Sequence, residues 1–535
     1  MRLRADFLLL LLSACAALAQ PAPPLRVIGA DLSAPEGPTS RMYNFCVGAG
    51  RANEGLRADW QRQLRRAHAE CGFRYIRFHG LFCDDMGVYT EDKQGRSIYN
   101  WQYVDELFDF LEGIGMKPFV ELGFMPGALA SGHHTIFWYK ANVTPPKDYA
   151  KWGAFIAAFV RHETERYGPD EVRSWYFEVW NEPNLTGFWI GTTGGKSVSE
   201  FAPIARAEYY KLYETTARAV KSVDPRYRVG GPATAGSGWI DETLAFCAAK
   251  GLPLDFVSTH SYATRSGYLD ENGKAGTVFS GDYNAITSEV KSVRERMDRS
   301  PFARSELHYT EWSSSYTPSD PIHDNYCSPA FILNKIRTIG GSANSMSYLT
   351  FTDIFEEAGP RATPLHGGFG LLNYQDLPKP SYFAYRFLNR LGDVQLRCSD
   401  PAAFVCRDGT GAVQALFWDF TIINPGPSVI DQEFYKADHP AKPKGPAELR
   451  LAGLAAGSYQ LRACLVGYRS NDLQSAWHDL GSPSQLTRAQ VETLRKTCSG
   501  LPSIEEVVHV GDDGCFSRRF DVRENDVWLA EIKPL

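Results

Sequence analysis

The sequence predicts the α/β fold class, with a (β/α)8 TIM barrel over residues 40–390 and an antiparallel β-sandwich domain over residues 391–535. In the first part, eight apolar strand-like segments alternate with amphipathic helical segments, which is typical of parallel β/α units. Eight such strands close a barrel. In the second part, short strand-like segments lie between Gly, Pro and Asn residues, which favours antiparallel strands in a sandwich.

Each predicted strand is a short run that is rich in apolar, aromatic and β-branched residues. The predicted barrel strands are Tyr43–Val47, Tyr75–His79, Pro118–Phe124, Trp175–Trp180, Arg228–Pro232, Phe256–Tyr262, Leu307–Trp312 and Met346–Asp353. Helices are predicted between them, such as Leu56–Glu70, Trp101–Ile114, Asp148–Tyr167 and Phe201–Val223. The sandwich strands are predicted at Val394–Arg397, Val413–Phe417, Ala447–Leu451, Tyr459–Cys464, Cys515–Val522 and Val527–Ile532, with one helix around Thr487–Lys496.

Residues 1–19 have the pattern of a secretory signal peptide. Two arginines precede the apolar run Phe7–Leu12, and Ala17–Ala19 supplies small residues for cleavage. The apolar run is too short to span a bilayer, so we expect no membrane span and an exported protein, either periplasmic or extracellular. The segment Leu12–Cys15 also fits a bacterial lipoprotein signal, in which Cys15 would carry the lipid.

Charge and cysteine content narrow the class of protein. The net charge is −6 and there is no basic block, which argues against nucleic acid or anionic lipid as the main partner. Cleavage of the signal would leave ten cysteines, an even number that permits disulfides in an exported chain. Cys398 and Cys406 flank a predicted hairpin. Because no CxxC pair or zinc-type spacing is present, we expect structural bridges or buried thiols, with neither metal nor cofactor. The sequence leaves a homo-oligomer open.

Two glutamates end predicted barrel strands. Glu182 follows Asn181 at the end of the fourth strand, and Glu311 ends the seventh strand. The carboxyl ends of barrel strands form the rim that carries active sites, and strands four and seven lie across the barrel mouth from each other. Glycoside hydrolysis usually needs two carboxyl groups that flank the scissile bond, one protonated and one ionised. We therefore predict a glycosidase in which Glu182 donates the proton and Glu311 attacks the anomeric carbon, provided that their carboxyl groups lie about 5–5.5 Å apart.

Eight ordered segments of the predicted barrel carry a resemblance to a known family. They are Cys46–Arg51, Arg74–Gly80, Asp84–Tyr89, Pro118–Pro126, Phe177–Pro183, Tyr309–Trp312, Thr352–Glu357 and His366–Leu371. Together they resemble glycoside hydrolase family 39, the retaining group that contains β-xylosidases and α-L-iduronidase. The resemblance implies that Glu182 is the acid/base, that Glu311 is the nucleophile, and that Asn181 bonds the sugar 2-hydroxyl.

Further rim residues are candidates for binding the sugar of a glycoside or oligosaccharide substrate. His79, His260 and Tyr262 end strands two and six and would line the subsite of the cleaved sugar, although Tyr262 could instead orient Glu311. Any one of these histidines could equally be a structural residue.

The acidic segment after strand eight resembles the xylosidase branch of the family, in which acidic residues bind sugar hydroxyls. Its candidate residues are Asp353, Glu356 and Glu357. Glu356 and Glu357 would repel a uronate, which is recognised by Arg or Lys, so the expected substrate is a neutral pentose such as terminal β-D-xylose.

Two departures from the xylosidase pattern leave the sugar open. Leu349 stands where the resemblance leads us to expect Trp, Cys83 stands where it leads us to expect His, and Arg361 could serve an acidic sugar. An α-L-iduronide, an α-L-arabinoside or a β-galactoside is therefore an alternative substrate, and a catalytically silent carbohydrate-binding protein is an alternative function. A metallohydrolase is disfavoured because His162-Glu163 lacks the second His of an HExxH motif.

Overall fold

The structure is a computed structural model that describes residues 25–189, 198–269, 275–424 and 432–535. The predicted signal peptide over residues 1–19, including Cys15, lies outside the described residues. Within the described ranges, no helix has both the length and the hydropathy that crossing a bilayer requires.

Eight parallel strands form a closed barrel, in which each strand pairs with the next along the chain and the eighth pairs with the first. The strands are Cys46–Arg51, Tyr75–His79, Lys117–Leu122, Tyr176–Val179, Arg228–Thr234, Phe256–Tyr262, Glu306–Ser313 and Ser345–Tyr348. Nearly all of their residues are buried, because helices cover the outer face and side chains fill the interior. The predicted barrel is confirmed.

The first barrel strand lies further along the chain than predicted. Met42–Asn44 is a short 3-10 helix, and the strand begins at Cys46 and continues through two glycines to Arg51. Glycine carries no side chain to mark a strand in a sequence pattern. Here it is required by close packing, since a Cβ added at Gly48 would lie 3.1 Å from both the Cδ1 atom of Leu349 and the carbonyl oxygen of Tyr348.

Eight longer helices follow the strands and surround the barrel. They are Ala58–Cys71, Gln102–Gly113, Tyr149–Tyr167, Val198–Val223, Ile240–Lys250, Thr287–Asp298, Ser328–Ile339 and Pro380–Asn389. Helix Tyr149–Tyr167 shows why they form: the Asp148 side chain accepts hydrogen bonds from the first backbone N–H groups, and a stripe that includes Trp152, Phe155 and Phe159 is buried. Besides short 3-10 helices, the remaining barrel elements are the helix Pro169–Val172 and the strand pairs Tyr89–Glu91 with Ser97–Tyr99, Thr135–Ile136 with Ala141–Asn142, and Thr264–Leu269 with Ala275–Phe279.

A separate sheet of nine strands forms the second unit. Its strands are Arg26–Pro38, Val394–Cys398, Ala403–Arg407, Val413–Trp418, Pro443–Ala452, Gly457–Val466, Ile504–Val510, Phe516–Arg523 and Val527–Pro534, and every pairing but one is antiparallel. Phe417 and Phe520 lie on strands five places apart in the sheet order, yet their ring centroids are 5.3 Å apart. The sheet therefore folds over itself as a sandwich with its own apolar core.

The second unit contains a strand from before the barrel that the sequence did not predict. Arg26–Pro38 pairs in parallel with Pro443–Ala452 and in antiparallel with Val394–Cys398, with two register irregularities. This segment contains Pro and Gly residues, which are uncommon inside strands, so the sequence pattern did not indicate one. The strands Ala403–Arg407 and Ile504–Val510 and the helix Leu473–Asp479 were also not predicted, whereas the predicted helix is present as Arg488–Thr497.

The ten cysteines among the described residues are free thiols. Eight are buried, Cys398 is half-buried and Cys515 is exposed. Cys398 and Cys406 lie on neighbouring antiparallel strands, but the residue that pairs with Cys406 is Gln395. Of the two expectations for these side chains, buried thiols describe most of them.

Candidate active site

A cavity of about 560 Å3 opens at the carboxyl ends of the barrel strands. Six of the nine predicted site residues line it: His79, Asn181, Glu182, Tyr262, Glu311 and Glu357. His260 lies directly behind this surface, fully buried and hydrogen-bonded to Glu182. The structure therefore brings seven of the predicted residues together, at the end of the barrel where such sites are found.

Glu311 is held as an ionised carboxylate. Arg77 donates a hydrogen bond of 2.8 Å to its Oε1, and the Tyr262 hydroxyl donates one of 2.6 Å to its Oε2. Burial on its own would raise the pKa of Glu311, but the attraction of His260, Arg77 and His79 and the hydrogen bond from Tyr262 lower this pKa to about 2. Glu311 is therefore an anion at neutral pH that faces an open cavity.

The chain turns sharply at Glu182, just beyond the end of the fourth strand at Val179. The backbone of Glu182 has a positive φ of 45° and its N–H donates to the carbonyl of Ala233 at 2.9 Å, so the turn after the fourth strand is fixed by the fifth. The Nδ1 atom of His260 is hydrogen-bonded to the Oε1 atom of Glu182 at 2.8 Å. One carboxylate oxygen each of Glu182 and Glu311 and a ring nitrogen of His260 lie within 4.8 Å of one another. The two carboxyl groups thus face a common point.

Arg77 contacts several of the site residues but was not among those predicted from the sequence. It lies on the second strand, is 2% exposed, and donates hydrogen bonds to Glu178, Glu311 and the Oδ1 atom of Asn181. Glu178 also accepts a hydrogen bond from Thr310, so it helps to hold the Arg77 guanidinium in position. The sequence contains a sign of this arrangement, because Arg77 is a charged residue in a strand whose other residues are suited to burial. A buried cation needs several hydrogen-bond acceptors around it.

His79 and Glu357 line the cavity beside Glu311, whose Oε1 atom is 3.5 Å from the Nε2 atom of His79. The Nδ1 atom of His79 is 2.7 Å from Glu121, and its Nε2 atom is 3.6 Å from Glu357. Burial would lower the pKa of His79, but the charges of Glu121 and Glu311 raise it to about 9. Burial raises the pKa of Glu357 to about 8, although the attraction of His79 opposes this. At neutral pH the site therefore holds an imidazolium beside a carboxylic acid that can donate a hydrogen bond.

The structure does not bring Asp353 and Glu356 into this cavity. The carboxylate of Asp353 is 2.7 Å from the ammonium of Lys379 and accepts the N–H of Gly370, whereas Glu356 pairs with Arg51 and Arg57. Both acidic residues line a second cavity of about 230 Å3. Of the three predicted acidic residues only Glu357 lines the main cavity, because neighbouring residues in a non-helical segment point in different directions.

The remaining lining is mainly apolar. Leu185, Phe188, Leu349 and Phe369 contribute to it, so the departure noted at Leu349 lies within the site itself. Cys83, the other departure, is buried and does not line the cavity. Leu185, Phe188 and Phe369 were not predicted from the sequence, because an apolar residue in a loop gives no sign that it faces a ligand.

Two groups of side chains have the spacing of metal ligands among the described residues. One is Glu182, His260 and Glu311, where Arg77 and Tyr262 already donate to both oxygens of Glu311. The other lies on outer helices, away from the cavity. The trio in the cavity is instead suited to bond cleavage without a metal ion, because one ionised carboxylate can attack where a second carboxyl group can deliver a proton.

Comparison with known proteins relates most of the chain to one family. The model of the family described as Glycosyl hydrolases family 39 matches residues 28–514. A β-xylosidase of Geobacillus stearothermophilus is 37% identical over 509 residues, which cover 92% of this chain and 93% of that protein. A β-xylosidase of Caldicellulosiruptor saccharolyticus is 39% identical over 464 residues, 86% of this chain and 89% of that protein. Human α-L-iduronidase is 26% identical over 225 residues, 39% of this chain and 31% of that protein.

Solved structures agree with these matches. A family 39 enzyme of Xanthomonas axonopodis pv. citri superposes with a TM-score of 0.90 at 43% identity, over 96% of this chain and 98% of that chain. A monomeric β-xylosidase of Caulobacter crescentus superposes with a TM-score of 0.89 at 42% identity, over 95% of this chain and 100% of that chain.

Proposed function

Since this chain belongs to glycosyl hydrolase family 39, we propose that it removes terminal β-D-xylose from glycosides, with Glu182 as acid/base and Glu311 as nucleophile. The chain is a retaining glycoside hydrolase, as the family is. The choice of xylose is supported by the two bacterial β-xylosidases that are similar to it over most of their own length.

The observation that carries the assignment of roles is the pairing of Glu182 with Glu311. Their nearest ligand oxygens lie within 4.8 Å of each other. Retaining glycosidases hold their two carboxyl groups about 5–5.5 Å apart, whereas inverting enzymes need about 6.5–9.5 Å to admit a water molecule. The spacing therefore supports direct attack by Glu311, and the low pKa of Glu311 supports the same role because a nucleophile must be ionised.

The first step would then form a covalent intermediate. Glu311 attacks the anomeric carbon while Glu182 passes its proton to the departing oxygen. The Oδ1 atom of Asn181 accepts a hydrogen bond from Arg77, which leaves its NH2 group as the part able to donate to the sugar 2-hydroxyl. Glu357 in its protonated form can donate to another hydroxyl.

The second step would release the sugar. Glu182 takes a proton from a water molecule, the oxygen of that water attacks the anomeric carbon, and Glu311 leaves as a carboxylate. His260 bonds Glu182 and would orient it in both steps. Arg77 and Tyr262 would stabilise the charge that returns to Glu311.

The lining of the cavity supports a neutral sugar over a uronate. Among the described residues that line it, none is Lys or Arg, the side chains that pair best with a carboxylate. Leu349 and Phe369 offer apolar surface instead of partners for an exocyclic polar group, and a pentose has no such group. An α-L-iduronide, an α-L-arabinoside and a β-galactoside are the alternatives to test.

A panel of chromogenic glycosides tests the sugar, and one variant tests the mechanism. We expect an aryl β-D-xyloside to be turned over faster than the iduronide, arabinoside and galactoside analogues, and the β-anomer of xylose to appear first by NMR. Glu311→Gln should abolish this turnover. Turnover of the xyloside that survives Glu311→Gln unchanged would refute the mechanism, and turnover of none of the four would favour a silent carbohydrate-binding protein.

We also propose that the enzyme is exported, from the signal pattern over residues 1–19. Expression of the full chain in a bacterial host, followed by fractionation and mass analysis of the mature N-terminus, tests this. A mature chain that begins at Gln20 is the expected product. A mature chain that begins at a lipidated Cys15, and that the substitution Cys15→Ser removes from the membrane fraction, would identify a lipoprotein. A chain that stays uncleaved in the cytoplasm would refute export.

A further inference from the structure

Two outer helices of the barrel bring a second set of acidic and imidazole groups together, away from the catalytic cavity. Asp105 lies on helix Gln102–Gly113, and His162 and Glu163 lie on helix Tyr149–Tyr167. One ligand atom from each residue lies within 4.8 Å of the other two. In the sequence, His162-Glu163 is an incomplete metal motif because Arg166 stands where an HExxH motif has its second His. The structure supplies a further ligand from the neighbouring helix, 57 residues away.

Glu163 is out of place on its helix face. It follows Trp152, Phe155 and Phe159 on the buried stripe of Tyr149–Tyr167, where the spacing calls for an apolar side chain. Glu163 is fully buried, and neither of its carboxylate oxygens has a hydrogen-bond partner among the described residues. A buried carboxyl group without a partner is costly, and native structures contain few of them.

The neighbours of Glu163 do not satisfy it. His162 is hydrogen-bonded through its Nε2 atom to Asp105 at 2.6 Å, and Arg166 pairs with Asp105 and Asp109. The catalytic trio Glu182, His260 and Glu311 makes a useful contrast. It has similar spacing, but both oxygens of Glu311 have donors in Arg77 and Tyr262. In the helix cluster, by contrast, both carboxylate oxygens of Glu163 are without a donor beside the hydrogen-bonded pair of Asp105 and His162.

We propose that Asp105, His162 and Glu163 bind a divalent transition-metal ion of the zinc type, which joins the second and third helices of the barrel. Two carboxylates balance the charge of the ion, and carboxylate with imidazole is a donor set that zinc accepts. Tetrahedral ligand atoms bound at about 2.0–2.2 Å from zinc lie about 3.3–3.6 Å apart. The hydrogen-bonded pair of His162 and Asp105, now 2.6 Å apart, would therefore open, and all three ligand atoms, which lie within 4.8 Å of one another, would move to that spacing.

The surroundings admit an ion and fix the ligands. The side chains of Asp105 and His162 are 21% and 24% exposed, which gives the ion a route from solvent and leaves room for a water ligand. The Trp101 ring stacks on His162 with centroids 5.4 Å apart and holds the plane of the imidazole. On binding, the Nε2 atom of His162 would give its lone pair to the metal and the ring would keep its proton on Nδ1.

Zinc content and thermal stability of the full chain test the proposal. The protein is stripped with a chelator, incubated with ZnCl2, desalted, and analysed by inductively coupled plasma mass spectrometry. We expect the wild type and Glu311→Gln to retain one zinc ion per chain. Glu163→Gln should lose the zinc ion that the helix cluster binds. Glu165→Gln is the matched control, because it removes the same charge from an exposed position on the same helix.

Thermal unfolding gives the second readout. Zinc should raise the Tm of the wild type and of Glu165→Gln by several degrees and leave that of Glu163→Gln unchanged, while turnover of a glycoside stays the same in all three. If Glu163→Gln does not fold, Asp105→Asn, at a partly exposed ligand, replaces it. The proposal is overturned if the wild type retains no zinc and its Tm does not change when zinc is added. Zinc that survives Glu163→Gln but is lost in Glu311→Gln also overturns it, because the ion would then lie in the catalytic cavity.

Discussion

The Tyr262→Phe variant tests how the barrel keeps Glu311 ionised. The substitution removes one hydroxyl that donates a 2.6 Å hydrogen bond to a buried carboxylate, and it leaves the ring and its packing in place. A hydrogen bond to a charged group contributes about 1.5–3 kcal/mol, and one pKa unit corresponds to about 1.4 kcal/mol. The pKa of Glu311, about 2 in the wild type, should therefore rise to roughly 3–4 in the variant.

The acid limb of kcat/KM against pH reports this change, because kcat/KM follows the ionisation of the free enzyme. The hydroxyl stabilises the charged form of Glu311, so its loss must move the acid limb to higher pH. The hydroxyl also stabilises the carboxylate that leaves in the second step, so the covalent intermediate should accumulate in the variant as a larger burst of released aglycone. A stopped-flow measurement with an aryl β-D-xyloside records the burst.

Tyr309→Phe is the matched control for this variant. Tyr309 lies on the same strand as Glu311, but its hydroxyl is bonded to Ser237 at 2.9 Å. We expect the acid limb of the control to stay in place even if the protein is less stable. An acid limb in Tyr262→Phe that does not move, or that moves to lower pH, would refute the assignment of Tyr262 as the donor that holds Glu311 ionised.

Three further predictions concern the rim and the frame of the barrel. Because the pKa of Glu357 is about 8, Glu357 should lose its proton above that pH, and kcat/KM should then fall with rising pH. The variant Glu357→Gln should lack this fall. An unchanged fall in the variant would contradict the role of protonated Glu357 as a hydrogen-bond donor to the sugar. Lys379→Met removes the buried cation that pairs with both Asp324 and Asp353 at 2.7 Å. It should lower the free energy of unfolding by about 3–5 kcal/mol in denaturant titrations, against about 0–1 kcal/mol for the more exposed Arg57→Gln. Gly48→Ala should cost about 1–3 kcal/mol in the same titrations, because the new Cβ meets Leu349, whereas Gly341→Ala, which meets nothing within 4 Å, should cost less.

The position of the two rim carboxylates, Glu182 and Glu311, was predictable from the sequence for a physical reason. A barrel delivers the last residues of every strand to one rim, so a glutamate at a strand end is placed by the fold alone. Glu182 and Glu311 follow this rule, and so do His79, His260 and Tyr262. The prediction needs only the strand ends, which a run of apolar residues marks well.

Residues in loops were harder to place. Asp353, Glu356 and Glu357 are close in sequence, yet only Glu357 lines the cavity. The direction of each side chain depends on ion pairs with Lys379, Arg51 and other residues that are distant in the sequence, and no local pattern records those pairs. The strand Arg26–Pro38 escaped prediction for a related reason, because its partners lie more than 350 residues further along the chain.

The contrast between Glu311 and Glu357 explains how one cavity gives two carboxyl groups opposite charge states. Both side chains are largely buried, with exposures of 6% and 15%, so burial raises the pKa of both. Glu311 receives hydrogen bonds from Arg77 and Tyr262. The ion-pair partner of Glu357 among the described residues is His79, which lies 3.6 Å away and is bonded more closely to Glu121. The charges of Glu311 and Glu182 raise the pKa of Glu357 further. The donors therefore outweigh burial at Glu311 and not at Glu357, so the distribution of partners, rather than depth in the barrel, determines which carboxyl group can attack and which can donate a hydrogen bond.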